Sequence, residues 1–159
     1  SGDLETLTKH LTNLADDDNK VWGETRYCEN NTENMILTMY KRRASQNGIC
    51  VNISAKASGS LAVPPQDLVV VIANLFENAI NEVANLKSKE GYIDIQIKDS
   101  PERLLIKIDN PCRSNLTFDE NLYGIGIRSV ISTTSKYEGM YDFTAEDGVF
   151  SAKIILNLK

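Results

Sequence analysis

The sequence predicts an α+β fold. It is a two-layer sandwich in which a mixed, mostly antiparallel sheet is covered on one face by about three helices, with a further helix at the N-terminus. Three observations carry that expectation. Apolar residues recur at helical spacing in some segments and alternate strictly in other, shorter ones. The segments do not follow the regular strand–helix alternation of a parallel sheet. Two pairs of alternating segments are joined by short turn-forming loops, DSPE and EDG, which makes hairpins of them.

The first predicted helix covers 3–16, where Leu4, Leu7, Leu11 and Leu14 keep helical spacing behind Asp3 as N-cap. Its apolar stripe is narrow and suits a helix partner better than a sheet. A second helix over about 30–46 stops at Gly48. ICVNISA alternates as a strand, and VPPQD then breaks the chain before a long helix over roughly 66–87. YIDIQIK and RLLIKID form the first hairpin. GIGIRSVISTTSKY is a loop entering a helix, and GMYDFTA with VFSAKIILNL closes the chain as a second hairpin.

At 159 residues the chain is one domain with room for a proper core. Its 42% hydrophobic and 25% charged content are those of a soluble globular protein. A net charge of -5 with dispersed basic residues argues against a nucleic-acid surface. The one basic cluster, YKRR at 40–43, is expected on a solvated helix face. No apolar run approaches the ~20 residues that span a membrane, so no membrane contact by this segment is expected. Cys28, Cys50 and Cys112 show no metal-binding spacing and are expected as buried thiols in a reducing cytoplasm.

The long helix raises a question of composition. Asn74, Asn78, Asn81 and Asn85 fall within a ~60° arc of one helix face, joined by Asp67 and flanked by Glu77 and Glu82. Two readings stand. The arc can be the wet side of an amphipathic helix, or a row of short amides set at fixed depth. Four asparagines cost about 2 kcal/mol in helix propensity relative to alanine. An amide that offers oxygen to a hard cation or a donor to a phosphate would repay that cost.

A second amide stands at a strand end. In LLIKIDNP the period of two puts Asn110 on the side of Leu104, Ile106 and Ile108, at the rim of the core, with Asp109 opposite. Pro111 is expected to end the pairing, and an Asn-Pro turn is the plain alternative. Third comes YGIGIRSV, where Gly124 and Gly126 precede a helix start that favours phosphate, although a lone GxG can equally be a plain turn.

Taken in order, NLFENAINEV, IKIDNP and YGIGIRSV resemble the N, G1 and G2 boxes of the GHKL group. That is the Bergerat-type ATP-binding domain shared by gyrase, the ninety-kilodalton heat-shock chaperone, histidine kinases and MutL. RYCENNTENMILTMYKRRASQNGI further resembles the accessory-gene-regulator type of quorum-sensing sensor kinase. The resemblance covers nearly all of 25–159 and implies ATP and Mg²⁺ as cofactors. It implies that 23–159 is an ATP-binding catalytic domain and 1–22 the tail of a dimerisation helix, whose leading Ser1-Gly2 looks like a cloning remnant. Asn78 would ligand the Mg²⁺, and Asn74 would face phosphates or metal-bound water. Asn110 would recognise the adenine amino group, directly or through water. Gly124 and Gly126, with Ile125 and Ile127 between and after them, would bring the lid backbone to the phosphates. Arg128 is a candidate for charge neutralisation.

The resemblance also implies a function. A histidine kinase would pass the γ-phosphoryl of ATP to a histidine on a dimerisation hairpin, with a response regulator as next partner. The parent would be a homodimeric, membrane-bound receptor with this domain in the cytoplasm. His10 is read as an ordinary helix residue rather than the acceptor, because the interval to Asn74 is shorter than that branch leaves. Departures matter too. Water-activating members carry Glu where Asn74 stands, and an amide is no general base. The G1 aspartate is Asn110 here, followed by Pro111 and Cys112. Asn81 stands where many kinases have a basic residue. The lid, roughly 112–123, is short. Two alternatives remain open: an anti-sigma-factor-type serine kinase, and a non-catalytic module that binds nucleotide weakly.

Overall fold

The structure, a computed structural model, describes residues 26–56, 62–86, 91–113 and 124–158, together with Thr6. The leucine-spaced segment, His10 and the lid from 114 to 123 lie outside the described residues. The elements run α1 (Asn31–Gln46), β1 (Cys50–Lys56), α2 (Pro65–Leu86), β2 (Tyr92–Asp99), β3 (Arg103–Pro111), α3 (Ile125–Lys136), β4 (Met140–Glu146) and β5 (Val149–Asn157). Their order matches the sequence expectation from the second predicted helix onward.

The strands form one sheet in the order β1-β2-β3-β5-β4. β1 runs parallel to β2 and the other neighbours are antiparallel, so the sheet is mixed as expected. A parallel pair needs a long crossover, and α2 supplies it. The two hairpins close as their loops demand. Ser100 accepts from the amides of Glu102 and Arg103, while Asp147 and Gly148 take the positive φ values of a tight two-residue turn.

Alternation sorts the sheet into two faces. Ile93, Ile95 and Ile97 of β2, Leu104, Ile106 and Ile108 of β3, and Ala152, Ile154 and Leu156 of β5 are buried beneath the helices. The other face carries polar pairs such as Asn52 with Asp94 at 2.7 Å and Lys107 with Asp109 at 3.4 Å. Over the apolar face α2 presents Leu68, Ile72, Leu75, Phe76, Ala79 and Val83. Phe76 stacks on Tyr40 of α1 with centroids 5.4 Å apart. Truncating so buried a ring would cost about 3–5 kcal/mol.

Three local expectations change. Tyr40 in the basic cluster is buried, because it continues the Ile36–Tyr40–Ala44 stripe of α1, while Lys41 lies 5.5 Å from the Tyr27 ring centroid and Arg43 pairs with Glu77 at 2.7 Å. Cys50 is exposed, since it starts β1 on the face opposite Val51. Pro111 ends the pairing with β2 only. On the β5 side it still lies opposite Val149, and the Cys112 amide donates to Gly148 O at 2.8 Å.

Candidate nucleotide site

α2 starts with Pro65, whose missing amide costs nothing in a first turn. Its apolar face is driven onto the sheet, and that fixes where the asparagine arc points. Exposure rises along the arc: Asp67 is buried, Asn74 and Asn78 are half-buried, and Asn81 and Asn85 are exposed. The two flanking acids differ in their surroundings. Glu77 turns to Arg43 of α1, and Glu82 lies one turn beyond Asn78.

Asn74 bonds back to its own helix, its Nδ2 donating to Val70 O at 2.7 Å. This leaves Oδ1 facing the start of α3. A Cβ built on Gly126 would stand 2.9 Å from Asn74 Oδ1, closer than side chains tolerate. Any side chain at 126 would therefore make the Asn74 amide or the turn shift. Gly124 caps α3 without any side-chain hydrogen bond, and the first helical bond runs from Arg128 N to Gly124 O at 3.1 Å. Around that turn Ile125 is 86% exposed, Ile127 is buried in the core and Arg128 is exposed. Ile127 therefore has only its backbone to offer a ligand.

Asn110 reaches the rim of the core as the strand period predicts, and it is 0% exposed. Its Nδ2 donates to Pro111 O at 3.0 Å. Its Oδ1 is buried with no hydrogen-bond partner. An orphaned buried acceptor costs about 1–3 kcal/mol, and a polar ligand group would relieve it. Just past it, burial raises the Cys112 thiol and the Glu82 carboxylate raises it further. The end of β3 is accordingly within electrostatic reach of α2 one turn beyond Asn78.

Sequence reasoning missed two polar features. Asp67, in the first turn of α2, accepts from Lys136 Nζ at 3.0 Å and from Tyr137 Oη at 2.5 Å. Burial raises the Tyr137 hydroxyl well above its ordinary range, and the Asp67 bond and charge add to that. Asp67's place on the arc was visible; its partners near the end of α3 were not. Glu33 is wholly buried in α1 and takes a weak hydrogen bond from Cys28 Sγ at 3.5 Å. Burial pushes its carboxyl up to about 7. Among the described residues no three or more His, Cys, Asp or Glu are grouped to hold a metal ion.

Comparison with known proteins gives the family and the fold. The family model described as the GHKL domain matches residues 63–157, more than half of the chain. A probable C4-dicarboxylate sensor kinase of Bacillus subtilis (strain 168) is 32% identical over 120 residues, which is 73% of this chain and 22% of that protein. The chain thus spans about a fifth of that relative's length. Among solved structures, the histidine kinase AdeS of Acinetobacter baumannii superposes with a TM-score of 0.65 at 14% identity, over 80% of this chain and 64% of that one. The catalytic domain of histidine kinase ThkA, nucleotide-free, gives 0.64 at 12% identity over 79% of this chain and 90% of that one. At such identities these likenesses establish the fold.

Proposed function

The chain belongs to the GHKL family, and from that premise we propose that it is the catalytic ATP-binding domain of a sensor histidine kinase. Its role is to hold Mg·ATP and present the γ-phosphoryl to a histidine on the dimerisation hairpin of the parent protein. That parent is a dimeric receptor at the membrane that signals to a response regulator.

The observation that carries this reading is the approach of Gly126 to Asn74. It puts an uncapped helix start, with its free amides, beside the first asparagine of the arc. The residues also fit a purine: Asn110 Oδ1 is a buried acceptor without a protein partner, and the adenine amino group is a donor. Asn78 would offer one neutral oxygen to Mg²⁺, a cation that takes oxygen ligands. Bound Mg·ATP supplies the transferable phosphoryl group. The chain supplies orientation and charge placement, which carry most of phosphoryl transfer. Asn74 has its donor committed to Val70 O, and an amide takes no proton from water near neutral pH. Transfer to a nucleophile brought by the acceptor is favoured over hydrolysis.

The test is calorimetry with Mg·ATP, followed by phosphotransfer to a separately supplied acceptor hairpin. Wild type should bind and transfer, while Asn78→Ala should lose at least tenfold in both. Equal transfer by the two proteins would overturn the kinase reading. Binding without transfer would favour a nucleotide-holding interaction module, to which the uncharged Asn110 also lends support.

A further inference from the structure

Asp67 lies two helical turns before Asn74 on the same arc of α2, yet its carboxylate contacts the opposite end of α3. The pairing is ordered: the start of α2 meets Lys136 and Tyr137, and Asn74 meets Gly126. The two helices therefore run antiparallel, and α3 is fixed to α2 at both ends. One end is a charge-assisted clamp and the other a glycine contact. Along 12 residues, α3 is about 18 Å long, so a shift at the clamp is carried to the glycine turn by a rigid body.

The packing between those ends does not fix the register by itself. α3 buries Ile127 and Val130 among apolar neighbours, together with Thr133 and Thr134. Thr134 satisfies its hydroxyl on its own helix, at 2.7 Å from Val130 O. Burial of that kind is non-directional and names no single contact that sets the helix ends. Hydrogen bonds to a carboxylate are short and directional and do. Asp67 is suited to the task, since its side chain is only 12% exposed and receives two donors from consecutive residues.

We propose that Asp67 is a positioning residue for nucleotide binding: by clamping Lys136 and Tyr137 it sets the seat of the Gly124–Gly126 turn against Asn74. The inference rests on the nucleotide-site reading above. Asp67 touches no substrate in this scheme and acts through α3.

The test compares Asp67→Asn, Tyr137→Phe and their double variant with Val51→Ala, a core change in β1, by thermal melting and Mg·ATP calorimetry. Each clamp variant should raise the Kd for Mg·ATP at least threefold. The double variant should stay within twofold of the weaker single one, because the two groups form one device. Val51→Ala should lose as much thermal stability but bind as wild type. In transfer assays the KM for ATP should rise with kcat changed less than twofold. Asp67→Asn binding no worse than Val51→Ala would overturn the proposal. Should wild type itself fail to bind nucleotide, the functional reading falls. The clamp is then judged in the free chain by amide exchange: acceleration that reaches residues 128–130 of α3 in Asp67→Asn supports it, and acceleration limited to the last turn of α3, or uniform over the chain, overturns it.

Discussion

Gly126 lies against the side chain of Asn74, so near that a methyl group there would stand 2.9 Å from Oδ1. Gly126→Ala is the smallest change that probes the site. In a helix the substitution should gain up to about 1 kcal/mol from backbone entropy. The Asn74 amide is held by its bond to Val70 O, so the added methyl must shift that amide or the turn, and either change alters the seat for phosphate. The expected result is an unchanged or higher melting temperature with nucleotide affinity about tenfold weaker, or ~1.4 kcal/mol. Melting and calorimetry on one sample check both.

Asn110→Leu should separate stability from function. Leucine keeps most of the volume and removes the unpartnered Oδ1, though it also takes the donor from Pro111 O. Removing an orphaned acceptor from the core is expected to leave stability within about 1 kcal/mol of wild type. Stabilisation of the melt by Mg·ATP should vanish. Persistence of the full ligand-induced shift would show that Asn110 does not read the purine.

Glu33 should make stability depend on pH. Its carboxyl is raised from the ordinary 4.5 to about 7, chiefly by burial, with the Cys28 bond opposing and the Asp99 charge adding. The first turn of a helix favours an anion, but burial outweighs it here. Between those two values the folded chain holds a proton that the unfolded chain has released, so stability falls as pH rises through the window. The drop is roughly 3 kcal/mol from below the window to above it. Urea unfolding at pH 5, 6 and 8 should show this slope in wild type and a flat profile in Glu33→Gln. Parallel profiles would assign the dependence to other groups.

Thiol accessibility gives a direct check on the packing. Cys50 is exposed, whereas Cys28 and Cys112 are buried. Burial, then Glu33, pushes the Cys28 thiol up to about 12, far from the thiolate that reacts. In native protein at pH 7.5, roughly the assay value at which an ordinary thiol is partly ionised, Cys50 should label within minutes. Cys28 and Cys112 should label only on unfolding. Native labelling of Cys28 would mean that the N-terminal end of α1 opens.

Much of this fold was legible because it is periodic. Strict alternation in β2, β3 and β5 identified the covered face, and the same period of two took Asn110 to the rim of the core. The asparagine spacing marked one edge of α2, and Asp147-Gly148 named its own turn. What escaped prediction depends on distant pairing. Nothing near Asp67 in the sequence points to Tyr137, and only the antiparallel docking of α3 brings them together. Glu33 stands three residues after the Asn30 cap, a spacing that suggests a surface capping box, yet tertiary packing buries it beside Cys28. Cys50 was misjudged on residue type when strand parity already gave its face. The resemblance named the boxes; the structure adds how Gly126 meets Asn74.

β4 is an outer strand, with Met140 68% exposed at its start. Among the described residues nothing pairs with its outer side, and an edge of this kind invites a second chain to extend the sheet. Asp142 and Glu146 are exposed on one face of it, Asp142 opposite Lys153 of β5, and an antiparallel pairing of two such edges centred on Thr144 would set acid against acid. Sheet extension from one copy of the domain into the next through β4 is thereby opposed by charge.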